Sequence, residues 1–275
     1  MEIYEFELGI IDYRIIIKTI KDVYNYDFSD HALTSLKRRI EIFCSRYGIK
    51  QTDILISRLR EDANFFQSFI KEISVEATEM FRDPSLWRYL RDELFPIILS
   101  DNYKPRIWLP SCISGDELFS LLIILKEQSL LDSFDIYASC YNDLCLNQIK
   151  SGILKSNKIE VSNDNYERIQ GKFKFNDYYS IVNDQAMRDT SLLKNVRFLK
   201  QNINFDHSPQ DIKLILCRNQ LIYFNQGMHD RVLKIFYDNM VTGGYLMLGV
   251  KEQVGQISSN FFKLVSEAES IYKKI

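Results

Sequence analysis

RIWLPSCISGDELFS, residues 106–120, decides the fold class. Arg106–Pro110 is a short apolar run of strand type, and Ser111–Gly115 is a loop of small residues. Asp116 and Glu117 then open an apolar helical segment that continues to Gln128. Reading outward, the same alternation repeats. Phe134–Ser139 (FDIYAS) is a second strand, followed by a helix from about Asn142 to Ser151. Ile212–Cys217 (IKLILC) is a buried strand. A helix from about Gln226 to Asn239 leads through Gly243-Gly244 to the strand Tyr245–Val250. Strands alternating with helices imply a parallel sheet covered on both faces, with ligands bound at the carboxyl ends of the strands.

The first 95 residues differ. Leu33, Leu36, Ile40, Phe43 and Tyr47 recur at spacings of three and four, which is one stripe of a helix. Phe65, Phe66, Phe69, Ile70 and Ile73 form a second stripe. Asp83-Pro84 reads as an N-cap followed by proline at the first helical position. The expected organisation is therefore a helical domain over 1–95 and an α/β domain over 96–275. Residues 152–195 break the alternation. Within them Tyr166–Ile181 is aromatic and partly alternating, and reads as a small inserted β-subdomain.

Composition bounds the function. The chain has 275 residues, 46% hydrophobic and 26% charged, the balance of a globular protein. Its net charge of -2 gives no bulk positive field for nucleic acid or an anionic membrane. The longest apolar run, Leu118–Leu125, is interrupted by Ser120 and is far too short to span a bilayer. The opening MEIYEFELGI is acidic and does not read as a signal peptide. Five irregularly spaced cysteines and three scattered histidines give no zinc pattern and read as reduced cytosolic thiols. Lys37-Arg38-Arg39 is either a solvated helix face or a patch for an acidic partner.

Four segments carry candidate chemistry, each with a plainer alternative. In 111–117, small residues admit a ligand to the backbone and Glu117 offers a carboxylate; the alternative is a strand–helix turn capped by Ser114 or Asp116. Cys140 and Asn142 end the second strand, where an acid commonly takes ribose hydroxyls; the alternative is a helix cap at Asn142 or Asp143. Arg218-Asn219 ends a buried strand and needs partners there, in a site role or a structural one. Arg82 is suited to a bidentate grip on a carboxylate, or is a surface arginine.

Taken in order, these segments resemble one family. EATEMFRDPSLW (76–87) resembles a T-x-F-F-R-D-P segment, and IWLPSCISGDELFS (107–120) an I-W-x-A-G-C-S-T-G-E-E-x-Y-S loop. LCRNQLIYF (216–224) matches C-R-N-V-L-I-Y-F. GGYLMLGVKE (243–252) resembles G-G-x-L-x-L-G-x-x-E, and Ile271-Tyr272-Lys273-Lys274 resembles the last strand. The chain is identified as a member of the CheR-type chemotaxis receptor methyltransferases, from about residue 10 to its end. The resemblance implies an α/β fold: a Rossmann-type, seven-stranded class I methyltransferase sheet, with an N-terminal helical domain and an inserted β-subdomain. It implies transfer of a methyl group from S-adenosylmethionine to glutamates of chemoreceptors, leaving S-adenosylhomocysteine, in the cytoplasm and with no need for more than a monomer.

Carried over by residue, the resemblance assigns Thr78, Arg82, Ser111, Gly115, Glu117, Cys140, Asn142, Asn202, Ile203, Arg218 and Asn219 to the cofactor. Arg82 and Tyr223 stand near the transferring methyl. Lys37, Arg38 and Arg39 face the acidic receptor helices or another acidic protein. Several positions depart from the family: Glu76 replaces Asn, Ser111 replaces Gly, Ile113-Ser114 replaces Ser-Thr, Ile203 replaces Leu, and Cys140 replaces the ribose-binding Asp. A thiol in place of that carboxylate forfeits roughly 1.5–3 kcal/mol of charge-assisted hydrogen bonding. The alternative function is therefore a CheR-like binding or scaffold protein with weak or no transfer.

Overall fold

The computed structural model describes residues 6–24, 28, 31–73, 78–100, 103–140, 143–201 and 207–275. Asn142, Asn202, Ile203 and Glu76 lie outside them. Two compact units divide the chain: residues 1–75 with 222–229, and residues 76–221 with 230–275.

In the first unit, four helices supply the core: α1 (Ile10–Tyr24), α2 (Leu33–Arg46), α3 (Thr52–Glu61) and α4 (Ala63–Ile73). Apolar side chains three or four apart leave water together. Ile16, Ile20, Leu36, Ile40, Phe43, Leu55, Leu59, Phe66 and Phe69 are all buried. Phe43 meets Phe69 edge-on at 4.9 Å and Phe65 at 5.5 Å. The expected α2 stripe holds at its centre only, since Leu33 and Tyr47 are exposed.

The second unit is built on a seven-stranded sheet. Its strands are β1 (Arg106–Leu109), β2 (Asp135–Cys140), β6 (Val196–Lys200), β7 (Ile212–Cys217), β8 (Met240–Leu248), β9 (Phe262–Ser266) and β10 (Ile271–Lys274). Their order is β6-β2-β1-β7-β8-β10-β9. β6, β2, β1, β7 and β8 pair in parallel, and β10 runs antiparallel to both its neighbours. β8 begins five residues before the expected Tyr245. Gly244 makes this possible: a Cβ there would lie 2.9 Å from the Val241 carbonyl oxygen and 3.1 Å from that of Ile212.

Pro84–Leu99 corrects the expected domain boundary. It is helical, α5 (Pro84–Tyr89) and α6 (Phe95–Leu99) joined by a π-helical turn at Leu90–Leu94. Leu86, Trp87, Leu90, Leu94, Phe95 and Ile98 are buried in one core with Ile107, Leu109 and Phe134 of the sheet layer. A helix whose apolar face is spent on the sheet belongs with the sheet, so the division falls at 75/76 instead of 95/96.

The inserted segment is mixed, not wholly β. After α7 (Asp116–Glu127) and α8 (Asp143–Ser151), β3 (Ile153–Leu154), β4 (Tyr179–Val182) and β5 (Gln185–Arg188) form an antiparallel sheet in the order β3-β5-β4. Ile159–Arg168, partly read as β in the sequence, is helix α9. Its Tyr166 is aromatic for a local reason. The buried Glu127 carboxylate accepts hydrogen bonds from the hydroxyls of Tyr166 (2.5 Å) and Tyr178 (2.7 Å) and from the Lys172 amide (3.2 Å). A buried carboxylate deprived of one donor is left undersolvated. Tyr178→Phe is expected to cost about 1–3 kcal/mol in urea unfolding; an unchanged midpoint would show that Glu127 has no need of that donor.

Candidate functional site

Parallel pairing brings the carboxyl ends of β2, β1, β7 and β8 to one edge of the sheet. Ser111 and its loop follow β1, Cys140 ends β2, Arg218 and Asn219 follow β7, and Gly249 follows β8. The topology thus collects the expected cofactor loops of the second unit.

Hydrogen bonds then fasten those loops to one another. The Cys112 amide donates to the Ser139 carbonyl at 2.8 Å, and Gln220 Nε2 to the Ser111 carbonyl at 2.8 Å. Trp108 Nε1 donates to Ser139 Oγ at 2.9 Å. Thr78 Oγ1 stands 2.7 Å from Ser114 Oγ and donates to Asp116 Oδ2 at 2.8 Å. Thr78 and the 111–117 loop, 36 residues apart in sequence, are therefore one assembly. The residue at the N-terminal boundary of α7 is Gly115, with φ +79°, instead of Ser114 or Asp116.

Arg218 is one buried cation of the site. Its Nη2 bonds Asp83 Oδ2 at 2.5 Å and its Nη1 bonds Glu117 Oε1 at 3.3 Å, with its guanidinium carbon 5.7 Å from the centre of the Trp87 ring. Asp83 therefore does not cap α5 with its side chain as expected. It sits at φ +56° and gives its carboxylate to Arg218. Asn219 also has a positive φ, +56°. Glu252 secures it, accepting from the amides of Asn219 (2.8 Å) and Gly249 (2.7 Å). Glu252 closes the G-x-x-E segment, so its position was legible, but its task was not. Asp116 was read only as a cap, and Arg188, which pairs with it at 2.7 Å, gave no signal.

Other expected residues fall out differently. Cys140 is buried, and loss of hydration pushes its thiol up to about 12. It is neutral at pH 7. Tyr223 is counted with the first unit, where its carbonyl accepts from the Ala32 amide at 2.7 Å and Arg39 lies 4.3 Å over its ring. Arg39 also donates to the Ile73 carbonyl and to Ser35 Oγ. This corrects the reading of Lys37-Arg38-Arg39 as one outward patch: Arg39 is half-buried, Lys37 pairs with Glu41 at 3.1 Å, and Arg38 is the exposed member. Among the described residues no cluster of His, Cys, Asp and Glu suits a metal ion, and no helix is long and apolar enough to cross a membrane.

Glu117 has the displaced acidity of the site. Burial raises its carboxyl to about 7 despite the opposing charges of Arg218 and Arg82. That influence also places Arg82 within electrostatic reach of Glu117. The protonated form is favoured on folding, so its contribution to stability is complete below about 4.5 and lost as pH rises to about 7. The stability of the wild type relative to Glu117→Gln, measured by urea unfolding, should fall across that window and level off above it. A difference independent of pH would refute the assignment.

Family models match both units: "CheR methyltransferase, all-alpha domain" over residues 11–74 and "CheR methyltransferase, SAM binding domain" over residues 76–270. The chain is 31% identical to the putative methyltransferase Cher3 of Pseudomonas putida, across 96% of this chain and 97% of that protein. It is 29% identical to the chemotaxis protein methyltransferase of Listeria innocua, across 88% and 90% of the two chains. With that of Borreliella burgdorferi it shares 24% identity across 87% of each. The sheet of the second unit, its fastened loops and these matches agree: the chain belongs to the CheR methyltransferase family, and S-adenosylmethionine is its cofactor.

Proposed function

We propose that the chain methylates glutamate side chains of chemoreceptors, acting as a protein-glutamate O-methyltransferase. The observation that carries this is the assembly of Thr78, Ser111–Glu117, Cys140 and Arg218-Asn219 at one edge of a parallel sheet. Its donor set fits the cofactor. Ser111 Oγ and Arg218 Nε are buried polar atoms without a hydrogen-bond partner among the described residues, and such groups are retained where a ligand can meet them. The Glu117 carboxylate offers an acceptor for an ammonium group. Cys140 is the one weak member, since a neutral thiol offers hydroxyls no charged acceptor.

S-adenosylmethionine supplies an electrophilic methyl on a sulfonium. A glutamate oxygen of the acceptor bonds that carbon as the carbon–sulfur bond breaks and sulfur keeps the electron pair. The acceptor carboxylate is already ionised at neutral pH, so no general base is needed. The chain's task is positioning and exclusion of water. Arg218 fixes Glu117 and the Asp83 turn, and Glu252 fixes Asn219. Arg82 orients the acceptor in this reading; in the first unit, Tyr223 is held by Arg39 and Ala32. Acidic receptor helices are the partner, met by the basic residues of α2, of which Arg38 is exposed.

A second reading, a binding protein with weak or no transfer, is favoured by the buried, neutral Cys140. Calorimetry separates the two. The enzyme reading expects S-adenosylhomocysteine to bind with a dissociation constant on the order of micromolar, and a receptor cytoplasmic fragment to acquire base-labile methyl label. Absence of binding at millimolar ligand would leave only the second reading. Cys140→Asp is expected to tighten binding roughly tenfold by restoring a charged acceptor. Ser111→Gly tests the rival cause, crowding by the Ser111 Cβ. Recovery in Ser111→Gly alone, with Cys140→Asp inert, would reject the ribose argument.

A further inference from the structure

The carboxylate of Asp116 has no solvent exposure and lies one residue before Glu117. Four side chains converge on it. Thr78 Oγ1, Ser114 Oγ and Lys158 Nζ donate to Oδ2 at 2.8, 2.8 and 2.9 Å, and Arg188 Nη2 donates to Oδ1 at 2.7 Å. Two of the four, Lys158 and Arg188, come from the inserted segment.

Arg188 reaches further than the ion pair. Its Nη1 donates to the Ser114 carbonyl at 3.1 Å, its Nη2 to the Ile153 carbonyl at 3.1 Å, and its guanidinium lies 4.8 Å over the Phe119 ring. A Cβ at Gly115 would stand 3.2 Å from Arg188 Nη1, tighter than an ordinary contact. One guanidinium thus spans the cofactor loop on both sides of Gly115 and anchors it to the first strand of the inserted sheet. α7 begins at Asp116, so whatever holds Asp116 also bears on Glu117, the next residue of the same helical turn. Arg218 grips Glu117 itself.

We propose that Arg188 is a positioning residue for the cofactor loop, which makes the inserted subdomain a working part of the cofactor site. Removing its fork releases the Ser114 carbonyl and one side of Asp116, and Glu117 loses its fixed place. Lysine at 188 keeps a charge near Asp116 but, as a point donor, cannot hold Asp116, Ser114 and Ile153 together. The proposal rests on the cofactor reading above, in which this loop meets S-adenosylmethionine.

The test is calorimetric titration of S-adenosylhomocysteine into the full chain and three variants, each below its own unfolding midpoint. Arg188→Met should bind roughly tenfold more weakly, and Arg188→Lys should recover part of the loss. Tyr178→Phe, which weakens the same inserted segment through Glu127, should lower the unfolding midpoint and leave affinity within about twofold. If Arg188→Met does not fold, Arg188→Lys against Tyr178→Phe decides. Wild-type affinity in the Arg188 variants overturns the proposal. So does an affinity loss that tracks the unfolding midpoint across all the variants, since that describes subdomain integrity alone. Failure of the wild type to bind at all would instead overturn the cofactor reading, and this proposal with it.

Discussion

A carboxylate without solvent survives only if its charge is met from several sides, and Asp116 is such a group. It draws two cations and two hydroxyls from four places: Thr78, Ser114, Lys158 and Arg188. These donors belong to the segment before α5, the loop after β1, the turn before α9 and the strand β5. Satisfying one charge therefore ties the inserted segment to the loop after β1. Loss of a single donor would leave part of a buried charge uncompensated, a larger penalty than loss of an ordinary contact.

The same edge of the sheet holds backbone that only tertiary contacts sustain. Phe81, Asp83 and Asn219 have positive φ, a region costly for residues with a side chain. Each is held by specific partners. The Phe81 amide donates to Ser120 Oγ at 2.8 Å, the Asp83 carboxylate meets Arg218, and Glu252 takes the Asn219 amide. Gly249 has to be glycine on steric grounds, since a Cβ would lie 2.8 Å from the Asn219 amide nitrogen and from Glu252 Oε2. Three of the ten described non-glycine residues with positive φ thus lie in or beside the segments that the methyl-transfer reading assigns to cofactor and acceptor. Backbone held by specific partners in this way suits a reaction that needs alignment more than acid–base help.

Much of the fold was legible from 106–120 outward. Apolar runs of four to six residues, alternating with amphipathic helices, leave few arrangements other than a covered parallel sheet. The helical first unit followed equally from the Phe65–Ile73 stripe. Two readings held only in part, for physical reasons. Pro84–Leu99 resembles its helical predecessors in pattern, yet its apolar face packs with Ile107 and Leu109, so it belongs to the sheet unit. Of the aromatic stretch expected as β, Tyr179–Ile181 do lie in β4, but Tyr166 lies in α9 and meets the buried Glu127 from a helix.

Local sequence settled what local physics controls: helix stripes, strand runs, the small-residue loop after β1, and the motif residues through which the family is recognised. Partners distant along the chain were beyond it. Arg188 lies 72 residues from Asp116, Arg218 lies 135 from Asp83, and nothing in either neighbourhood marks the other. Charge pairing in a dry interior is decided by which groups the packed chain brings together, and by the penalty on any that it leaves alone. The motifs therefore named candidate residues, and only the folded arrangement determined which side chains, Arg188 among them, hold those candidates in place.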